Sequence, residues 1–62
     1  MTRLEIELLN NEVITEEQLE EIELHEEVEN VEILGASSSH AGCTWFDVEF
    51  TDGESIDVFV RY

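Results

Sequence analysis

The last twenty residues of the chain admit few folds. From Cys43 to Thr51 and from Ser55 to Tyr62, apolar and polar residues alternate, and both runs carry the aromatics and valines that strands favour. Asp52-Gly53 lies between them and predicts a hairpin. Loop length decides the register. A two-residue loop at Asp52-Gly53 would set Val48 against Asp57, core against charge. A three-residue loop, Thr51-Asp52-Gly53, with Gly53 left-handed as a G1 bulge, removes that conflict. Val48 then opposes Ile56, Phe46 opposes Val58, and Thr44 opposes Val60. The other face pairs Trp45 with Phe59, Asp47 with Asp57, and Glu49 with Ser55. One face is apolar, and the other combines two aromatics with three carboxylates.

Upstream, Thr2 to Leu8 also alternates, with Leu4, Ile6 and Leu8 on one side and Arg3, Glu5 and Glu7 on the other, which predicts a strand. Asn10-Asn11 predicts a turn. Thr15 and Gln18 form a T-x-x-Q capping box, and Ile14 with Leu19 forms the matching hydrophobic staple. Glu16 and Glu17 occupy the first turn, where the helix dipole favours anions. Leu19 and Ile22 share a face, whereas Leu24 and Val28 fall out of phase, so the helix is expected over 15–26. Val31 opens a strand expected to reach Ser37, and the Ser37–Gly42 stretch SSSHAG has turn composition. These segments predict a single α+β domain over 1–62 of order β-α-β-β-β, with one helix packed on a mainly antiparallel sheet. Leu4, Ile6, Leu8, Ile33, Phe46, Val48, Ile56, Val58 and Val60 are its expected core.

Charge bounds what such a domain can bind. Seventeen acids face only Arg3 and Arg61, no lysine is present, and the net charge is −15. A compact state with that charge repels itself. Nucleic acid and anionic membranes repel it as well, so neither is an expected direct partner. A basic protein is the natural complement. A saline habitat is the other explanation of such acidity. Against it, fourteen of the acids are Glu and three Asp, and they crowd into the first half of the chain. The single cysteine, Cys43, leaves no internal disulfide and fits a reducing, cytoplasmic compartment. The longest apolar runs, such as Leu8-Leu9 and Val58-Phe59-Val60, are two or three residues, so no signal peptide or membrane span is expected.

Two groups of residues stand out as candidate partner-binding sites. Glu16, Glu17, Glu20, Glu21, Glu23, Glu26 and Glu27 place seven carboxylates within twelve residues. At helical rise that is one charge per about 2.6 Å, between the roughly 1.7 Å of duplex DNA and 3.4 Å of one strand. Glu pairs four apart (16/20, 17/21 and 23/27) repel each other, and a helix face kept only for solubility would ordinarily interleave lysine. The second group is the outer face of the hairpin, where Trp45 and Phe59 lie among Asp47, Glu49 and Asp57. A Trp rimmed by charge suits an interface centre. An enzyme and a cofactor are not expected. His25, His40 and Cys43 lack zinc spacing, no calcium loop is present, and no third group would orient His40 and Cys43 as base and nucleophile.

Length, absence of lysine and the run EEQLEEIELHEEVENVE resemble the small acidic inhibitors encoded by phages, among them anti-CRISPR proteins and other DNA mimics. The resemblance implies a phage protein acting in the host cytoplasm. Its partner would be a basic nucleic-acid-binding protein, such as a CRISPR effector, nuclease or repair protein, whose nucleic-acid site the carboxylates block by charge mimicry. The alternative reading is a small protein–protein interaction module, antitoxin-like or an assembly subunit. It would bind a partner, or a second copy as a homodimer, through the outer face of the C-terminal hairpin.

Overall fold

In a computed structural model that describes residues 1–61, the chain forms α1 (Arg3–Glu7), β1 (Val13–Ile14), α2 (Glu16–Glu23), β2 (Val28–Ala36), β3 (Cys43–Phe50) and β4 (Ser55–Arg61). The fold is α+β. From β1 onward the order is β-α-β-β-β, and the sheet is mainly antiparallel: β1-β4-β3-β2, with only β1 running parallel to its neighbour. The hairpin of β3 and β4 has the register expected from its loop, with Val48 opposite Ile56, Trp45 opposite Phe59 and Asp47 opposite Asp57. Gly53 adopts φ +92°, and its N–H donates to the Phe50 carbonyl at 3.1 Å, which closes the bulged turn. The expected extension of β4 to Tyr62 lies outside the described residues.

The N-terminal segment corrects the expectation of a strand over Thr2–Leu8. Arg3–Glu7 is a helix because Thr2 and Glu5 cap it reciprocally: the Glu5 N–H donates to Thr2 Oγ1 at 3.2 Å, and the Thr2 N–H donates to Glu5 Oε1 at 2.7 Å. Helical phase separates residues that alternation had grouped. Ile6 is fully buried with Leu9 packed beside it, whereas Leu4 and Leu8 are 64% and 72% exposed and leave the core. The expected first strand of the sheet is instead the short β1. Asn10 and Asn11 hold it in place. The Asn11 N–H donates to the Asp57 carbonyl, Asn10 Oδ1 accepts from the Asp57 N–H, and Glu12 accepts from the Phe59 N–H.

The capping box at Thr15 forms as expected, with Gln18 N–H to Thr15 Oγ1 at 3.1 Å and Thr15 N–H to Gln18 Oε1 at 2.9 Å. The helix ends at Glu23, short of the expected 26, with Leu24 as its cap. His25 Nδ1 accepts from the Glu27 N–H and turns the chain into β2. Strand β2 begins at Val28, ahead of the expected Val31, and ends at Ala36. Leu19 and Ile22 pack with Ile6, Ile14, Phe46, Val48, Phe50, Ile56, Val58 and Val60 between the helices and one sheet face. Each fully buried side chain of this kind contributes about 1.5–3 kcal/mol. Ile33, expected in the core, is 64% exposed, because β2 is the sheet edge and no element among the described residues covers it. Among the described residues no helix is long and apolar enough to cross a membrane.

Candidate functional site

The acids of α2 stand where the capping geometry aims them. At 100° per residue, Glu17 and Glu21 form a row opposite Leu19 and Ile22, and Glu16, Glu20 and Glu23 form a second row on the flank of the helix. All five are exposed. Over a helix about 12 Å long they give one charge per roughly 2.4 Å. Glu26 and Glu27, expected on the same helix, lie beyond its end in the turn to β2. They remain exposed but extend the acidic surface without sharing its periodicity.

Where the chain's few cations go decides how much of this charge is free. Every ion pair among the described residues is made by Arg3: 3.6 Å to Glu7, 3.3 Å to Glu27 and 3.0 Å to Asp52. Its guanidinium carbon also lies 3.8 Å from the centroid of the Phe50 ring, a cation–π contact. Glu27 is therefore partly neutralised within the fold, a departure from the reading of seven unpaired carboxylates. Arg61 shares a shallow depression with Glu16, Glu17 and Glu20. The glutamates of α2 close no ion pair among the described residues.

On the outer sheet face, the structure separates the two expected aromatics. Trp45 is 37% exposed, whereas Phe59 is 6% exposed. The reason lies in the Ser-rich turn. Ser37 Oγ accepts from the His40 N–H at 3.0 Å, and the turn folds His40 onto the sheet with its ring centroid 4.3 Å from that of Phe59. Phe59 is thereby removed from the contact surface and serves as a base on which Trp45 stacks, centroid to centroid 6.4 Å. Cys43 is buried at the start of β3, as a small apolar residue.

The carboxylates of this face form a longer array than the hairpin alone suggested. Glu32 of β2 pairs with Asp47, and Asp47 pairs with Asp57, so three acids stand side by side across β2, β3 and β4. Glu49 lies beside them, opposite Asn30 and Ser55. Directly opposed like charges destabilise a sheet. Glu32 escaped the sequence reading because its register depends on two bulges in β2, between Val28 and Asn30 and between Ile33 and Gly35. No group of three or more His, Cys, Asp or Glu among the described residues is arranged to hold a metal ion. No family model, no curated protein and no solved structure matches the chain.

Proposed function

We propose that the chain is an acidic inhibitor of a basic nucleic-acid-binding protein, a CRISPR effector, nuclease or repair protein of a phage's host, acting by charge mimicry. One observation carries this reading. The two rows of glutamate on α2 are exposed and close no ion pair among the described residues, although Arg61 shares a depression with Glu16, Glu17 and Glu20. Arg3 is committed to Glu7, Glu27 and Asp52. A chain of net charge −15 that keeps this density on one helix face supplies a rigid counterpart to a groove built for phosphates. Lysines and arginines that hold nucleic acid would meet Glu16, Glu17, Glu20, Glu21 and Glu23 in its place. Glu26 extends this acidic surface, whereas Asp47, Glu49, Asp57 and Trp45 form a second acidic surface on the opposite sheet face, away from α2. The alternative, binding through an aromatic hairpin face, is weaker because Phe59 lies beneath His40.

The test replaces Glu16, Glu17, Glu20, Glu21 and Glu23 with Gln. Gln nearly matches Glu in helix propensity, so the helix persists while its charge is lost. Pull-down from host cytosol at low and high salt identifies the target, and nucleic acid should compete with the inhibitor for it. Affinity of the variant for that target should fall, with a flatter dependence on salt, because fewer charge contacts remain to be screened. A variant that inhibits as strongly as wild type at every salt concentration rules the mimicry out.

A further inference from the structure

We propose that the open edge of β2 is a docking surface for an extended cationic segment of a protein partner, which adds to the sheet as a fifth strand. The inference rests on the reading of the partner as a basic protein and specifies how part of that protein is held.

Strand β2 pairs with β3 on one side only. The phase of that pairing shows which backbone groups are left over. The Ser37 N–H donates to the Cys43 carbonyl at 3.0 Å, so the backbone of Cys43 faces β2. By antiparallel alternation Trp45, Asp47 and Glu49 face the same way, and their partners Gly35, Glu32 and Asn30 direct their backbone groups to β3. Val31 and Ile33 therefore turn their N–H and C=O groups to the open side. The bulges at Val28/Asn30 and Ile33/Gly35 bracket this stretch and leave Asn30 to Ile33 in regular register.

The same two residues carry apolar side chains on the inner face, opposite buried Val48 and Phe46. Val31 is half-buried against the core and Ile33 is exposed. A groove of about 540 Å³ runs there. Unused backbone groups thus coincide with an open groove floored by Val28, Val31, Ile33 and Phe46 and walled by Glu23, Glu29 and Asn30, the combination that strand addition uses: backbone bonds for affinity and side-chain pockets for selection.

Charge selects the occupant. A second copy would bring another net −15 and set Glu29 and Glu32 of each edge near one another, and like charges across a ladder destabilise it. Acids and bulges on an edge strand are devices that block self-pairing. A cationic strand meets the same acids as attraction. Its inward residues would fill the groove over Val31, Ile33 and Phe46, and its outward Lys or Arg would stand next to Glu32, at the end of the Glu32–Asp47–Asp57 row. The recognised chemistry is apolar residues alternating with Lys or Arg in an extended segment.

The experiment uses two synthetic peptides of equal length and charge, one alternating Lys and Val, the other alternating Lys and Ser. The Lys–Val peptide should slow amide hydrogen exchange at Val31 and Ile33 and bind more tightly than the Lys–Ser peptide by a factor of about ten or more. Two substitutions should abolish that margin. Ile33→Pro deletes an outward N–H and spares the ladder to β3, a position where an edge strand tolerates proline. Ile33→Lys changes an exposed side chain, so folding survives even if the proline variant does not fold; its charge acts on both peptides alike, and loss of the apolar contact removes the advantage of Val over Ser. Equal binding of the two peptides overturns the proposal, as does a margin that persists in Ile33→Lys. So does slowed exchange at Val31 and Ile33 that rises with protein concentration and no peptide, which would assign the edge to a second copy. If inhibition of the target survives Ile33→Lys and fails with the α2 Gln variant, the edge proposal is wrong and the mimicry stands. If the Lys–Val peptide docks as expected while the α2 Gln variant inhibits as wild type does, the edge stands and the mimicry is wrong.

Discussion

Arg3 gathers the charge contacts that hold this acidic chain in shape. Its guanidinium reaches Glu27 after α2 and Asp52 in the hairpin turn while covering Phe50, so one side chain ties α1 to both ends of the core. Its Nε, 3.6 Å from Glu7, is buried without a hydrogen-bond partner, so the Glu7 contact is ionic only. Asp52 is the most closely held of the three acids. The Glu54 N–H donates to its Oδ1 at 3.0 Å and Arg3 to its Oδ2 at 3.0 Å, and these bonds, the backbone one first, hold its carboxyl below the ordinary 3.8. Glu5 is lowered in the same way by the Thr2 N–H and hydroxyl. A carboxyl whose folded value is depressed binds fewer protons folded than unfolded. Its contribution is therefore complete above the unfolded value and lost as pH falls through the folded one. Asp52→Asn should unfold at lower urea than wild type at pH 7. The gap should close below pH 3.8, as Asp52 itself protonates. A gap that is constant across that range would mean Asp52 acts through packing and not through its charge.

At the scale of elements, α1 stands on its cap. A helix of five residues is too short to persist on propensity, so Thr2→Ala, which removes the hydroxyl that accepts from Glu5, should cost about 1 kcal/mol. Urea unfolding of Thr2→Ala beside Thr2→Ser checks this, because Ser restores the acceptor and should recover most of the loss. Alternation of Leu4, Ile6 and Leu8 suggests a strand there, yet T-x-x-E at Thr2–Glu5 is a capping box of the same kind as the T-x-x-Q that locates α2 at Thr15. Alternation over seven residues favours a strand, and about two helical turns scatter those residues over both faces, so only the cap marks the helix. The hairpin was legible because Gly53 and the clash of Val48 with Asp57 leave one register. Strand β1 was not, since two residues carry no period and Asn10, Asn11 and Glu12 hold it through contacts with β4. The exposed acids of α2 could be read directly, as no local cation interrupts them. Glu27's partner lies twenty-four residues away, and Phe59 is covered by a turn whose path sequence does not dictate, so the paired and the buried members of the candidate site emerged only in three dimensions.

For the molecule as a whole, charge sets the conditions under which it folds. Its principal extents are 30 × 20 × 16 Å, and it carries a net charge of −15. At about 0.01 M salt the screening length is roughly 30 Å, so every carboxylate feels every other; at about 0.15 M it is roughly 8 Å, shorter than the smallest dimension. The melting temperature should therefore rise steeply with added NaCl up to about 0.15 M and level off beyond it. The quintuple Gln variant on α2, at −15 + 5 = −10, should melt higher at low salt and rise less. Replacing chloride by another monovalent anion should leave the rise unchanged if it comes from screening, whereas preferential exclusion of salt from the surface would depend on the anion. Binding to the proposed basic partner should respond with the opposite sign, weakening over the same salt range, because the charge that strains the free chain is what such a partner would neutralise. The two slopes arise from the same glutamates, so the Gln substitutions should flatten both together. A wild-type melting temperature that is flat or falls between about 0.01 M and 0.15 M NaCl would show that self-repulsion does not limit the stability of this fold.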